Sequence, residues 1–292
     1  MEQVWMLRHG AFSPVVPEHQ GGTPSRFTLW GVVNVTPDSF FSQSRTQSAY
    51  QIEVAVRRAV TDGARIIDIG GFSTRPDAED VAEREEIERV LTALEVVTRV
   101  APEVAVSIDT FRAGVAQAVL EQRGDCIIND VTAGEHEPEI IDVVARYGVP
   151  YVMMHNRGVL DAMMSNTEYE NVANEVTQYL VARADYARRR GVENIILDPG
   201  FGFAKTTEQN YALLAGMERI VATGYPVLAG LSRKSMIYKV LGVDPQGALN
   251  GTTALHWECL RKGAKILRVH DVREAAETIK LFEYYCKHGD RI

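Results

Sequence analysis

The chain has 292 residues, 46% of them apolar and 24% charged, which is ordinary globular usage with ample material for a large core. Its net charge of −8 excludes a surface built to grip nucleic-acid phosphates, which needs basic patches. No apolar run approaches the roughly 18 residues of a membrane span, and Cys126, Cys259 and Cys286 are scattered without pairing or metal spacing. A cytoplasmic enzyme in a reducing compartment is the expectation.

In chain order, residues 1–26 stand outside the main pattern, and MEQVWMLRHGAFSP reads as a small hairpin or a lid. From residue 27 onward, short β-rich runs recur between turn residues: 27–35, 64–71, 104–109, 126–131, 150–156, 194–200, 226–232 and 265–271. They are nearly continuous in hydrophobicity, as strands covered on both faces should be. Helical patterns separate them. Ile52, Val56, Ala59 and Val60 share one face of the first, and Ile87, Val90, Leu91, Leu94 and Val97 share one face of the second. Gly63, Gly124, Gly148, Gly191 and Gly263 follow helix ends, where a left-handed residue is favoured. Eight strand–helix units over 27–292 predict a (β/α)8 TIM barrel with a short N-terminal extension and no second domain. A doubly wound sheet could hold as many strands, but gives no reason to decorate every strand end.

Barrel chemistry sits at the C-terminal strand ends. The predicted strands end, in order, on Asn34, on Ser73-Thr74-Arg75, on Asp109, on Asn129-Asp130, on His155-Asn156, on Asp198, on Ser232-Arg233-Lys234, and on Arg268 with His270-Asp271. Helix capping explains Asp, Asn, Ser and Thr at any one of these places, but not Arg75, Lys234 and Arg268. Convergence on one rim favours a binding pocket. Asp109, Asn129 and Asp198 suit a flat heterocycle presenting N–H donors and ring acceptors. Arg75, Arg268 and His270, with Asn34 nearby, suit a phosphate or pyrophosphate. Carboxylates are too dispersed for an all-protein metal cage, so a Mg²⁺ shared with substrate phosphates at Asn34 fits better.

The motifs NVTPDSF (34–40), DIGGFSTRP (68–76), SIDT (107–110), INDV (128–131), DPGFGF (198–203), GLSRKS (230–235) and RVHD (268–271) resemble dihydropteroate synthase in order and spacing. The resemblance runs from about residue 28 to the C-terminus. It implies a transferase of folate biosynthesis that joins 6-hydroxymethyl-7,8-dihydropterin diphosphate to p-aminobenzoate and releases pyrophosphate. It further implies that Asp109, Asn129, Asp198 and Lys234 bond the pterin while Met153 and Phe203 pack on its faces. Asn34, Arg75, Arg268 and His270 would hold the diphosphate, with Asn34 also on Mg²⁺. Thr74, Pro76, Arg233, Ser235, Phe40 and Phe203 would frame p-aminobenzoate. Arg75, Lys234, Arg268 and His270 are the expected catalytic set, and a homodimer through the last helices is expected.

Three features depart from that pattern: Phe72 where the family often carries Glu, Asp77 where Gly is common, and SFFSQSRT without the usual Asp-Gly-Gly. Two other readings compete. A pterin-binding methyltransferase for a corrinoid protein has no need of Arg75, Arg268 and His270. A paralogue that binds pterin without turnover would have Phe72 as its lesion. Elsewhere the plain readings are preferred: His155 as a satisfied barrel-top histidine, His256 and Trp257 as packing or subunit contacts, and EDVAEREEIER as a solvated helix face.

Overall fold

The computed structural model describes residues 5–8, 11–14, 25–35, 45–72, 81–158 and 166–289. Strands β1 (Trp5–Arg8) and β2 (Ala11–Pro14) pair antiparallel as a separate hairpin, the first of the two options expected for the N-terminal segment. The β-rich runs that follow become β3 (Thr28–Asn34), β4 (Ile66–Gly70), β5 (Ala105–Asp109), β6 (Ile127–Asp130), β7 (Tyr151–Met154), β8 (Ile195–Asp198), β9 (Leu228–Ala229) and β10 (Ile266–Val269). All pair in parallel in the order β8-β7-β6-β5-β4-β3-β10-β9. A parallel bridge from Leu197 to Val227 joins the two ends, with the Leu197 N–H donating to the Pro226 carbonyl at 2.9 Å. The sheet therefore closes on itself, and the predicted (β/α)8 barrel is observed.

The helices that wrap it are α1 (Arg45–Thr61), α2 (Glu83–Val100), α3 (Ala113–Gln122), α4 (Glu139–Tyr147), α5 (Val172–Arg189), α6 (Thr207–Ala215), α7 (Glu218–Val221), α8 (Ser235–Leu241), α9 (Leu249–Arg261) and α10 (Val272–His288). Each barrel helix turns an apolar stripe inward. In α2 this stripe is Val90, Ala93, Leu94 and Val97, all buried.

Two predicted segments came out differently. The seventh strand is short, a ladder at Leu228–Ala229 preceded by the single bridge at Val227, because Pro226 lacks an N–H and the chain leaves the sheet at Gly230. The sixth helix is split into α6 and α7 at Gly216, where a Cβ would lie 2.6 Å from that of Ala173 on α5. That close approach leaves no room for a side chain.

Strand alternation sorts the side chains into two layers. Trp30, Ile66, Ala105, Ile127, Val152, Ile196, Leu228 and Ile266, one from each strand, form an apolar floor inside the barrel. The alternate positions, among them Val33, Ile67, Val106, Ile128, Tyr151, Met153, Leu197 and Leu267, point outward into the helix layer. Two residues beyond the floor the interior turns polar: Asp68, Ser107, Asn129, Asp198 and Arg268, with Met154 and Gly230 between them. Truncating a floor residue such as Ile66 to Ala is expected to cost about 2–5 kcal/mol. The floor thus excludes water from beneath a charged mouth.

Candidate active site

Arg268 stands at the centre of the mouth. Its Nε donates to Asp68 Oδ2 and its Nη2 to Asp109 Oδ2, both at 2.6 Å. Asp68 is fully buried, and among the described residues its Oδ1 has no hydrogen-bond partner and the guanidinium is its only counter-charge by contact. Desolvation opposes the Arg268 charge, but the two carboxylates more than restore it and hold its pKa above the usual value. Burial pushes Asp109 up to about 7, against the pull of Arg268. Asp68 was not among the residues singled out from the sequence. Its signal was its parity with Ser107 and Arg268 on neighbouring strands.

A second polar pair lies across the barrel. Asp198 takes the Gly200 N–H on Oδ1 at 2.8 Å, and burial raises its pKa while the neighbouring Lys234 charge lowers it. Lys234 donates to the Phe201 carbonyl at 2.5 Å, and its ammonium lies 4.6 Å from the centre of the Phe203 ring. Burial lowers its pKa to about 8. Asn129 is buried on the same interior level, between the two pairs. The carboxylates, the amide and the lysine named from the sequence are therefore brought together.

Beside them is an apolar patch of Phe111, Val131 and Met154, with Phe72 and Phe203 packed on it. Phe72 meets Phe111 edge to face at 5.2 Å, and the Arg112 guanidinium lies over both rings at 5.2 and 5.3 Å. The departure at Phe72 is thus part of the wall of the mouth. Met153 is a correction. It belongs to the outward layer packed under the helices, and alternation presents Met154 to the interior instead.

Arg233 also differs from expectation. Its guanidinium is clamped by Asp271 at 2.7 and 2.8 Å and by the carbonyls of Pro245 and Gln246, on a left-handed backbone with φ of 55°. Four acceptors leave it a loop fastener rather than a free arm toward p-aminobenzoate. Ser235 is half-buried and opens α8 next to Lys234. His270 is exposed at the rim, its Nδ1 3.2 Å from Ser232 Oγ. Desolvation and then the Arg268 charge hold its imidazole below its ordinary range. Phe40, Thr74, Arg75 and Pro76 lie outside the described residues. His155 is buried and satisfied, as expected, by Lys205 at 3.0 Å. Asp130, of the INDV motif, faces outward and accepts from Thr132, Gly134 and Tyr151, so it braces a loop.

The donor set fits a metal only as a guest of a ligand. Among the described residues no three His, Cys, Asp or Glu side chains cluster to cage an ion. Half-buried Asn34 at the end of β3 offers one neutral oxygen. A Cβ on Gly70 would sit 3.4 Å from it and 3.9 Å from Asp109 Oδ2, so the two flank a gap that only glycine leaves open. One amide oxygen at the mouth suits Mg²⁺ carried by phosphates. An open cleft of about 710 Å³ elsewhere, between the approach to α5 and Gln209, is lined by Glu168, Glu170 and Glu175 beside neutral amides and carries no lysine or arginine.

Residues 30–270 match the family described as pterin binding enzyme. The chain is 41% identical over 259 residues to dihydropteroate synthase of Synechocystis, covering 88% of this chain and 89% of that protein. It superposes on dihydropteroate synthase of Thermus thermophilus in complex with 4-aminobenzoate with a TM-score of 0.78 and 41% identity, covering 88% of this chain and 94% of the other. The same enzyme in complex with 6HMPPP superposes with a TM-score of 0.75 at 39% identity, covering 88% and 93%.

Proposed function

The chain belongs to the dihydropteroate synthase family of pterin binding enzymes, and from that premise we propose how its mouth performs the condensation. The reaction joins 6-hydroxymethyl-7,8-dihydropterin diphosphate to p-aminobenzoate, giving 7,8-dihydropteroate and pyrophosphate. The pterin's flat, hydrogen-bonding edge lies against Asp109, Asn129, Asp198 and Lys234, with Phe203 and Met154 on its faces. That assignment rests on the one level of the barrel where carboxylate, amide and ammonium converge above an apolar floor. The diphosphate extends toward Arg268, His270 and Asn34, where the Arg268 guanidinium already sits at the rim. Relatives captured with 4-aminobenzoate and with 6HMPPP support both substrates.

The chemistry asks little of a base, because a neutral arylamine carries its own lone pair. Activation falls on the leaving group: the methylene C–O bond breaks, its electron pair departs with pyrophosphate, and the amine nitrogen bonds to carbon and sheds a proton to solvent. Arg268 stabilises the charge that develops on the departing oxygens, the electrostatic contribution that usually dominates. The electron-rich pterin spreads positive charge at the methylene, which favours a dissociative path, and the apolar floor with Phe203 keeps water from that carbon. Mg²⁺, when bound through the phosphates with the Asn34 oxygen, would neutralise part of the same leaving-group charge.

A homodimer is supported by the exposed Leu281, Tyr284 and Tyr285 on α10. Among the described residues no helix is long and apolar enough to cross a membrane.

Pyrophosphate release from dihydropterin diphosphate and Mg²⁺, with and without p-aminobenzoate, tests the reading. Release that depends on the amine and collapses in Arg268→Ala supports it. Pterin binding without release would sink it and point to the inactive paralogue.

A further inference from the structure

We propose that Lys205 is a positioning residue for the pterin side of this site: its buried ammonium ties the turn after Asp198 to the end of β7 and so sets where Phe203 stands. The proposal rests on the synthase reading given above. Lys205 is 8% exposed, and its Nζ lies 3.0 Å from the carbonyls of Gly200 and Phe203 and from His155 Nδ1. An ammonium has three N–H bonds, and here three acceptors use them all. No donor is left over for a substrate, so the residue acts through the turn and not by touching ligand.

The turn needs such a tie. Three of its residues have a left-handed backbone: Gly200 at φ of 69°, Gly202 at 83° and Ala204 at 47°. Ala204 is not glycine, so its conformation costs about 1 kcal/mol that the surroundings must hold in place. A Cβ on Gly200 would lie 2.0 Å from the His155 carbonyl, so the turn is pressed directly onto β7. Asn210 completes the knot, accepting the Gly202 N–H at 2.7 Å and donating to the Thr206 carbonyl at 2.7 Å. Within this turn the Phe201 carbonyl and the Phe203 ring meet Lys234, whose charge also acts on Asp198 at the start of the turn. His155 accepts on Nδ1 and therefore carries its proton on Nε2, and burial keeps its ring neutral with a pKa of about 2.

Burial also lowers the Lys205 pKa to about 7, with Asp198 opposing that shift and Lys234 and Arg157 adding to it. Once its proton is lost, Lys205 has two donors for three acceptors, and the tie slackens.

Three readouts separate positioning from mere packing. In Lys205→Ala the KM for dihydropterin diphosphate should rise roughly tenfold or more, the loss expected for charge-assisted hydrogen bonds, and by more than the p-aminobenzoate KM, whose pocket shares only Phe203 with this turn. Ethylammonium should restore the pterin KM, whereas tetramethylammonium, equally charged but without N–H donors, should not. Should Lys205→Ala fail to fold, hydrogen exchange of the peptide covering 199–205 in Lys234→Met gives the answer. That variant removes the neighbouring Lys234 ammonium, so a change on the alkaline side reads Lys205 rather than Lys234. Protection corrected for intrinsic rates should drop on the alkaline side. An unchanged pterin KM, rescue by both cations, or equal protection at the two pH values would each overturn the proposal. Failure of the wild-type chain to release pyrophosphate would instead sink the synthase reading itself.

Discussion

Arg268→Ala removes the cation from between two carboxylates, and the structure sets the size of the penalty. Breaking a buried pair by deleting one partner costs about 3–5 kcal/mol, because a charge is left uncompensated. Asp68 meets that description in full, with a side chain 0% exposed, whereas the Asp109 and Arg268 side chains each retain 21% exposure. The lower end applies, about 3 kcal/mol, or a fall in Tm of about 6–12 °C at the sensitivity of larger domains. Most of this should be the orphaned Asp68 carboxylate rather than lost packing. Asp68→Asn added to Arg268→Ala should therefore recover at least about 1.5 kcal/mol, a non-additivity beyond that of independent sites. Urea denaturation of the wild type, both single variants and the double variant at neutral pH measures it. Pyrophosphate release should remain abolished in the double variant, since stability returns without the guanidinium. Additive effects within about 0.5 kcal/mol would refute the claim that Asp68 is the fixed partner of Arg268.

The two methionines at the end of β7 give a cleaner contrast. Met154→Ala should raise the pterin KM while Met153→Ala leaves it alone, although Met153, fully buried among the helices, should cost about 2–5 kcal/mol of stability. Steady-state kinetics beside thermal melts decide this, and a pterin effect confined to Met153→Ala would reverse the assigned facing. A pH dependence follows from Asp109, whose pKa of about 7 lies above the unfolded value of about 3.9. Between those values the native state binds the extra proton, so this contribution to stability falls as pH rises from about 4 to about 7. Asp109→Asn should remove that decline from a plot of Tm against pH, and an unaltered slope would show that Asp109 is not its source.

What could be read from the sequence was whatever depends on near neighbours along the chain. Continuous apolar runs announced strands buried on both faces, and the helices between them forced a parallel sheet. Strand ends such as Asp109, Asn129, Asp198 and Arg268 then fell on one rim because a barrel has one such rim. The Met153 error has the same local origin. Tyr-Val-Met-Met offers two adjacent methionines, and the choice turns on parity with the Val152 floor position, which places Met154 inside. Counting two residues on from each floor residue would also have picked out Asp68 and Ser107.

Partners are another matter. Arg268 and Asp68 lie 200 residues apart in sequence, and Arg233 and Asp271 lie 38 apart. No periodicity carries such pairings, because barrel closure alone brings the last strand beside the first. Arg268 therefore read as a free phosphate cation, when in the protein it is already neutralised by Asp68 and Asp109. Lys205 was overlooked for the same reason, its acceptors being supplied by a turn and by a histidine just past the end of β7. Composition can suggest that a pocket is cationic, but which charges remain free to meet a ligand depends on the closed fold. At this mouth a ligand gains Arg268 only by offering donors to Asp109 and negative charge to the guanidinium, the two features that a pterin diphosphate combines.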